Sequence, residues 1–235
     1  MERISSAVAG PAISLAELIC HPSLNAVVLN LPAHAVLFEP TTPATDLYFI
    51  QQGQVRIYQV DRNRSSQLLD ILGPADWCGS AALAPHSKYG AMAVAIVPSV
   101  VTQVSAQRAL EFIQHHPAAA VELLRQLAGK LVNVYQQSAA FVFDNCMQRL
   151  LKTLLRFSSS SAATRQNDTV TLHITHSQLA QAVGVARETV SLALTQLRLQ
   201  NVLRTGRNRL IFNPAVIEEF ARRSDVSTTC DACCA

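Results

Sequence analysis

A chain of 235 residues, 49% of them hydrophobic, has room for one large domain or two ordinary ones and enough apolar surface for a sizeable core. The sequence shows no leader-like start and no apolar run of the roughly 18 residues a membrane helix needs, so a cytoplasmic protein with no membrane segment is expected. The net charge of +3 hides a segregation: residues 1–145 sum to −2, residues 146–223 to +7 and the last twelve to −2, a division that suits a separate nucleic-acid-binding domain.

From Val27 to Ser105 the chain reads as short strands divided by turn residues. Val27–Leu29, Ala35–Phe38, Leu47–Ile50, Val55–Tyr58, Gln67–Ile71, Ala91–Val97 and Val100–Val104 are each of strand length. Pro40–Pro43, Gln52-Gly53, Asp61–Asn63, Gly73-Pro74 and Gly79 separate them, with Gly53 placed where a tight hairpin needs positive φ. Seven short strands with frequent turns predict a β-sandwich or barrel.

The periodicity changes at about Ala106. Residues 106–116 predict a short helix, and Pro117 suits the first turn of the next. Val121, Leu124, Leu127, Leu131 and Val134, with Ala139 beyond, predict a helix of about 25 residues, near 37 Å long. Its narrow apolar seam is suited to packing on a second copy of itself. Asp144-Asn145 interrupts the pattern as a hinge, and Cys146–Phe157 resumes as an amphipathic helix. The polar stretch from Ser158 to Asp168 predicts a flexible loop.

The segment from Ile174 to Arg198 is the most informative in the chain. Thr175 is placed to cap a helix from about His176 to Val183, whose apolar face is Leu179, Ala180 and Val183. Gly184 ends it, and Ala186 or Arg187 opens a second helix that buries Val190, Leu194 and Leu197. Short helix, glycine turn and second helix predict a helix-turn-helix, its second helix in the major groove with its first residues at base edges. Arg187, Glu188 and Ser191 lie opposite the buried stripe, with Thr189 beside them. Arginine pairs with guanine O6 and N7, and glutamate accepts from cytosine N4. Thr175, His176 and Ser177 open the preceding helix, where hydroxyls and amides suit phosphates. Val202–Phe212 then reads as two short strands around Gly206, a wing carrying Arg204, Arg207 and Arg209 towards the DNA backbone, and Pro214–Arg222 as a closing helix.

In this order of elements the chain resembles the family of the cyclic-AMP receptor protein and the fumarate–nitrate regulator (Crp/Fnr). Thr175, Gly184 and Arg187-Glu188-Thr189-Val190 are similar to its DNA-reading segment, and Leu47–Val55 and Leu72-Gly73-Pro74 to its β-roll signature. The resemblance spans roughly residues 25–220 and implies an α+β fold: β-roll sensor domain (1–116), dimerisation helix and hinge (117–144), winged helix-turn-helix DNA-binding domain (145–223) and Cys-rich tail (224–235). It implies a homodimer on double-stranded DNA with a two-fold symmetric site, and it makes RNA polymerase a further candidate partner.

Two departures bear on the signal. Cyclic-AMP-binding members carry a Gly-Glu pair and, about ten residues on, an Arg followed by Ser or Thr; this chain has Gly79-Ser80 and then Lys88-Tyr89-Gly90, with no Arg between Arg64 and Arg108. Lysine is a poor substitute for a bidentate arginine, so no tight cyclic-nucleotide binding is expected. In the reading helix many members place a second Arg where this chain has Leu192, so the half-site is expected to differ.

Of six cysteines (Cys20, Cys78, Cys146, Cys230, Cys233, Cys234), three crowd into the last six residues, and with no export signal disulfides are not expected. Cys230, Cys233 and Cys234 have the spacing to hold an iron–sulfur cluster or a thiolate-bound metal ion, with a fourth ligand from Cys146, Cys78, Cys20 or Asp144. A thiol switch and capture of arsenite or mercury stay open, as does haem ligated among His21, His34, His86, His173 and Cys78. The expected function is a DNA-binding regulator responsive to a redox, metal or gas signal. The alternatives are a regulator binding an effector in its β-roll and a metal- or thiol-handling protein with an incidental helix-turn-helix. No catalytic constellation is legible, so an enzyme is not expected.

Overall fold

Short apolar runs between Val27 and Ser105 build eight strands: β1 (Val27–Leu31), β2 (Val36–Phe38), β3 (Asp46–Gln52), β4 (Val55–Val60), β5 (Ser66–Leu72), β6 (Trp77–Cys78), β7 (Met92–Ala95) and β8 (Ser99–Ser105). The structure, a computed structural model, describes residues 21–61 and 66–226. The strands form two antiparallel four-stranded sheets, ordered β1-β8-β3-β6 and β2-β7-β4-β5. All seven expected segments contribute strands. The eighth, β6, is two residues long and offers no periodicity to detect, yet it places Trp77 in the core at 1% exposure. Gly53 closes the β3–β4 turn at φ +92°, and a Cβ there would meet Ser99 Oγ at 2.2 Å, so conformation and space both demand glycine.

Two helices follow. α1 (Ala106–His115) packs Ala109 and Phe112 against Leu47, Phe49, Trp77 and Val104. α2 (Pro117–Phe143) is 27 residues long with Pro117 in its first turn. Its N-terminal half rests on the β-roll through Leu123 and Leu127. Lys130 Nζ donates to the Trp77 carbonyl at 2.7 Å and lies 4.1 Å from the indole centroid. Beyond that point Leu131, Val132, Val134, Tyr135, Val142 and Phe143 are all at least half exposed.

Asp144 leaves the helix in an extended conformation, and Asn145 caps α3 (Cys146–Ser158) through a reciprocal box with Gln148. Residues 158–168 do not form the flexible loop expected of them. They hold Ser158 at the end of α3, the strand β9 (Thr164–Gln166) and a turn into β10 (Thr169–Leu172). The alternation signal is missing because β9 is exposed along its whole length, so nothing in it needs to be apolar. Asn167, at φ +53°, makes the turn. α4 (His176–Val183), α5 (Arg187–Leu199), β11 (Leu203–Gly206), β12 (Arg209–Phe212) and α6 (Pro214–Val226) complete this half, with sheet order β11-β12-β10-β9.

The two halves dock through β5. Leu68 and Ile71 turn away from the β-roll interior and join Leu150, Leu154, Phe157, Leu179 and Val183 in one core. Arg156 Nη1 donates to Leu69 O at 2.8 Å, Arg56 Nη2 to His173 O at 2.7 Å, and Gln181 Nε2 to Ser66 Oγ at 2.9 Å. Among the described residues no helix is long and apolar enough to cross a membrane.

Candidate nucleic-acid interface

The sequence pattern of α4 and α5 translates directly into geometry. Thr175 adopts an extended conformation, and its hydroxyl accepts from Gln178 N at 3.2 Å while Gln178 Oε1 accepts from Thr175 N at 3.0 Å. This satisfies two of the amides a helix start leaves open and aims the remaining N-terminal amides outward. α4 buries Leu179, Ala180, Ala182 and Val183, and Gly184 ends it in the left-handed region at φ +75°. The chain turns at once into α5, with Ala186 as N-cap and Arg187 as first residue.

α5 buries Val190, Ala193, Leu194 and Leu197, and this buried stripe fixes what faces out. Arg187 and Glu188 are exposed, Thr189 and Ser191 are half-buried, and Leu192 is 73% exposed. Ser191 lies one turn beyond Arg187, so the two share a side of the helix. Thr195 and Gln196 extend the outer face; sequence reasoning passed over them, although the step of four from Ser191 to Thr195 carries the signal. On α4, Ser177 is exposed and His176 half-buried, with His176 Nδ1 3.0 Å from Ser191 Oγ. Arg204, Arg207 and Arg209 are all exposed on the β11–β12 hairpin, around a turn made by Asn208 at φ +55°. The face gathers cations, hydroxyls and a helix N-terminus, the donors that phosphates and base edges require.

The β-roll interior has a different chemistry. Gly79 has φ +86°, with Asp46 O 2.6 Å from where a Cβ would lie, and Ser80 opens the turn Ser80–Leu83. Lys88 is exposed, while its neighbour Tyr89 is buried and stacks on Phe38 with ring centroids 4.1 Å apart. Tyr89 Oη donates to Asp46 O at 3.0 Å and accepts from Asp46 N at 3.1 Å. Tyr48 packs beside both rings, and burial raises its phenol above the ordinary range. Arg56 is buried in this domain, but its guanidinium is committed to His173 O in the other half.

Cys78 is buried, and burial pushes its thiol up to about 12; Cys146 is partly exposed. The metal reading of Cys230, Cys233 and Cys234 lies outside the described residues, as does Cys20. Among the described residues no three His, Cys, Asp or Glu side chains are grouped to hold a metal ion.

A winged helix-turn-helix carried behind a β-roll and a long helix defines a class, the DNA-binding transcription regulators. Residues 28–116 match the cyclic nucleotide-binding domain and residues 148–220 the Crp-like helix-turn-helix domain. The chain belongs to the Crp/Fnr family of transcription regulators. Similar proteins include the cAMP-activated global transcriptional regulator CRP of Haemophilus influenzae, 28% identical over 173 residues (73% of this chain, 77% of that one). Another is a probable transcriptional regulator, flp, of Lacticaseibacillus casei, 28% identical over 187 residues (79% and 83%). The fold is shared with FixK2 from Bradyrhizobium japonicum, at TM-score 0.72 and 21% identity over 83% of this chain and 96% of that one. It is also shared with the c-di-GMP responsive regulator CLP of Xanthomonas campestris, at TM-score 0.68 and 19% identity over 86% and 99%. These relatives are transcription regulators rather than enzymes.

Proposed function

We propose that the chain acts as a homodimer on a two-fold symmetric DNA site, reading base edges with Arg187, Glu188, Thr189 and Ser191. Thr175, His176, Ser177 and Arg207 hold the phosphates. The observation that carries the reading is the division of α5: Val190, Leu194 and Leu197 are at most 1% exposed while Arg187 and Glu188 stand in solvent. Arg187→Ala should cost about 1–3 kcal/mol at the specific site and much less on random DNA, as measured by competition binding. Equal losses on both would refute its role in base reading. Dimerisation is supported by the apolar surface that α2 leaves exposed between Leu131 and Phe143. RNA polymerase is a further partner on this reading, tested by transcription in vitro from a promoter carrying the selected site.

The signal is a redox, metal or gas input and not a cyclic nucleotide. In support, Ser80 offers no carboxylate for a ribose, Lys88 is exposed, and Tyr89 fills the interior beside Phe38 and Tyr48. Cys230, Cys233 and Cys234 supply three thiolates for an iron–sulfur cluster or a soft metal ion. Anaerobic purification with an absorption spectrum and metal analysis tests this: a visible chromophore or bound metal is expected, and its loss when the three cysteines become serine. A colourless, metal-free protein, or micromolar cyclic-AMP binding by calorimetry, would overturn it.

A further inference from the structure

We propose that His176 sets the base preference of Ser191 by fixing the direction of the serine hydroxyl. The inference rests on the docking of α5 proposed above. His176 is the first residue of α4, and Ser191 lies one turn into α5, fifteen residues on. Their Nδ1 and Oγ atoms are 3.0 Å apart, and both residues are half-buried. The other ring nitrogen, Nε2, has no partner among the described residues.

A hydroxyl has one proton to give, and a neutral imidazole has one N–H and one bare nitrogen. The pair therefore has two arrangements. In one, Ser191 donates to Nδ1 and the ring proton sits on Nε2. In the other, Nδ1–H donates to Oγ and the serine proton is left for the DNA. The phosphate backbone selects between them. His176 stands at the N-terminus of α4 between Thr175 and Ser177, on the side proposed to meet phosphates. A phosphate only accepts, so in the neutral ring contact through Nε2 places the one proton there and leaves Nδ1 bare.

Ser191 then commits its single proton to His176 and turns only lone pairs to the major groove. In that state it accepts from adenine N6 or cytosine N4, and it disfavours guanine O6 and N7 and thymine O4. The bond from Thr195 Oγ1 goes to the Ser191 carbonyl at 2.9 Å and leaves the hydroxyl uninvolved. His176 is thus a positioning residue that makes a two-way hydroxyl into a one-way reader.

The test begins with selection of the preferred site from random DNA by the intact protein. Ser191→Ala then locates the base pair that Ser191 reads. At that pair the intact protein should favour the base presenting an amino group by about five- to tenfold, the worth of one hydrogen bond. His176→Ala should reduce this preference to about twofold or less at that pair alone. His176→Asn should keep it, because its side-chain oxygen can accept the serine proton, and neither variant should change the salt slope, because the neutral ring adds no charge to its phosphate contact. In the DNA complex, 15N spectra should place the ring proton on Nε2. A preference for guanine or thymine, a proton on Nδ1, or a His176→Ala variant that weakens every sequence by one factor would overturn the proposal. If Ser191→Ala and Arg187→Ala both leave all affinities unchanged, the docking of α5 itself fails, a different result from loss of the coupling.

Discussion

Cys78 and Cys146 sit in opposite environments, and the difference decides which of them can sense anything. Cys78 is 6% exposed between Tyr48 and the long helix, and burial holds its thiol protonated up to about pH 12. The thiolate, the attacking form, is disfavoured there, and the burial also shields the sulfur from an oxidant or a reagent. Cys146 is the first residue of α3 and is partly exposed, so a reagent can reach its sulfur. Timed alkylation of the native protein, followed by mass spectrometry, should label Cys146 at least about a hundredfold faster than Cys78. Labelling of Cys78 before unfolding would contradict this. The chemistry leaves Cys146 and the terminal cysteines as the candidates for a thiol-based signal, with Cys78 a part of the core.

Among the elements, β5 is the one that connects the two halves, and Arg56 of the adjoining strand shows how. Arg56 is 2% exposed, its Nη2 bonded to His173 O at 2.7 Å and to Gln54 Oε1 at 3.3 Å, while Nε and Nη1 have no partner. A buried cation with unsatisfied donors is costly to the β-roll that holds it, and of its two bonds only the one to His173 O reaches the other half. Arg56→Met keeps the volume and removes the charge. The β-roll should be as stable or more stable, while amide exchange in β10 and α4 should accelerate as the DNA-binding half loosens. Hydrogen exchange read by mass spectrometry checks this; unchanged protection around His173 would show that Leu68 and Ile71 suffice. This contact was not legible in the sequence, because an arginine within a short strand carries no sign of its partner and its acceptor lies 117 residues away. The same holds for Leu68 and Ile71, whose apolar character was legible but not the core they enter. The helix-turn-helix was legible because its signals are local: the Thr175 cap, the Gly184 turn and the spacing of Val190, Leu194 and Leu197. The β9–β10 hairpin and the His176–Ser191 pair were not, the first for want of buried residues and the second because only the turn brings them together.

In the whole molecule, the charge separation and the bare half of α2 have one joint consequence. The basic half carries +7, so a single copy is drawn to any DNA, and on the proposed two-fold site specificity would come from two reading helices held at a fixed spacing. The element able to hold them is α2, whose Leu131, Val134 and Phe143 stand 50%, 54% and 82% exposed in one copy. In a two-fold interface each substitution is felt twice, once from each partner. Leu131→Glu with Val134→Glu therefore places four carboxylates in an apolar seam, at a cost of several kcal/mol. Both positions are solvent-exposed in the single copy, so the fold itself should survive, with the circular dichroism spectrum unchanged. Sedimentation velocity should show the variant at the 25.5 kDa of one chain and the parent protein at twice that. The variant should also bind a full symmetric site no more tightly than a half-site, with about half the salt slope of the dimer, because half as many phosphates are contacted per complex. A parent protein that sediments as one chain, or a variant that keeps the full-site affinity, would show that two-fold reading does not run through α2.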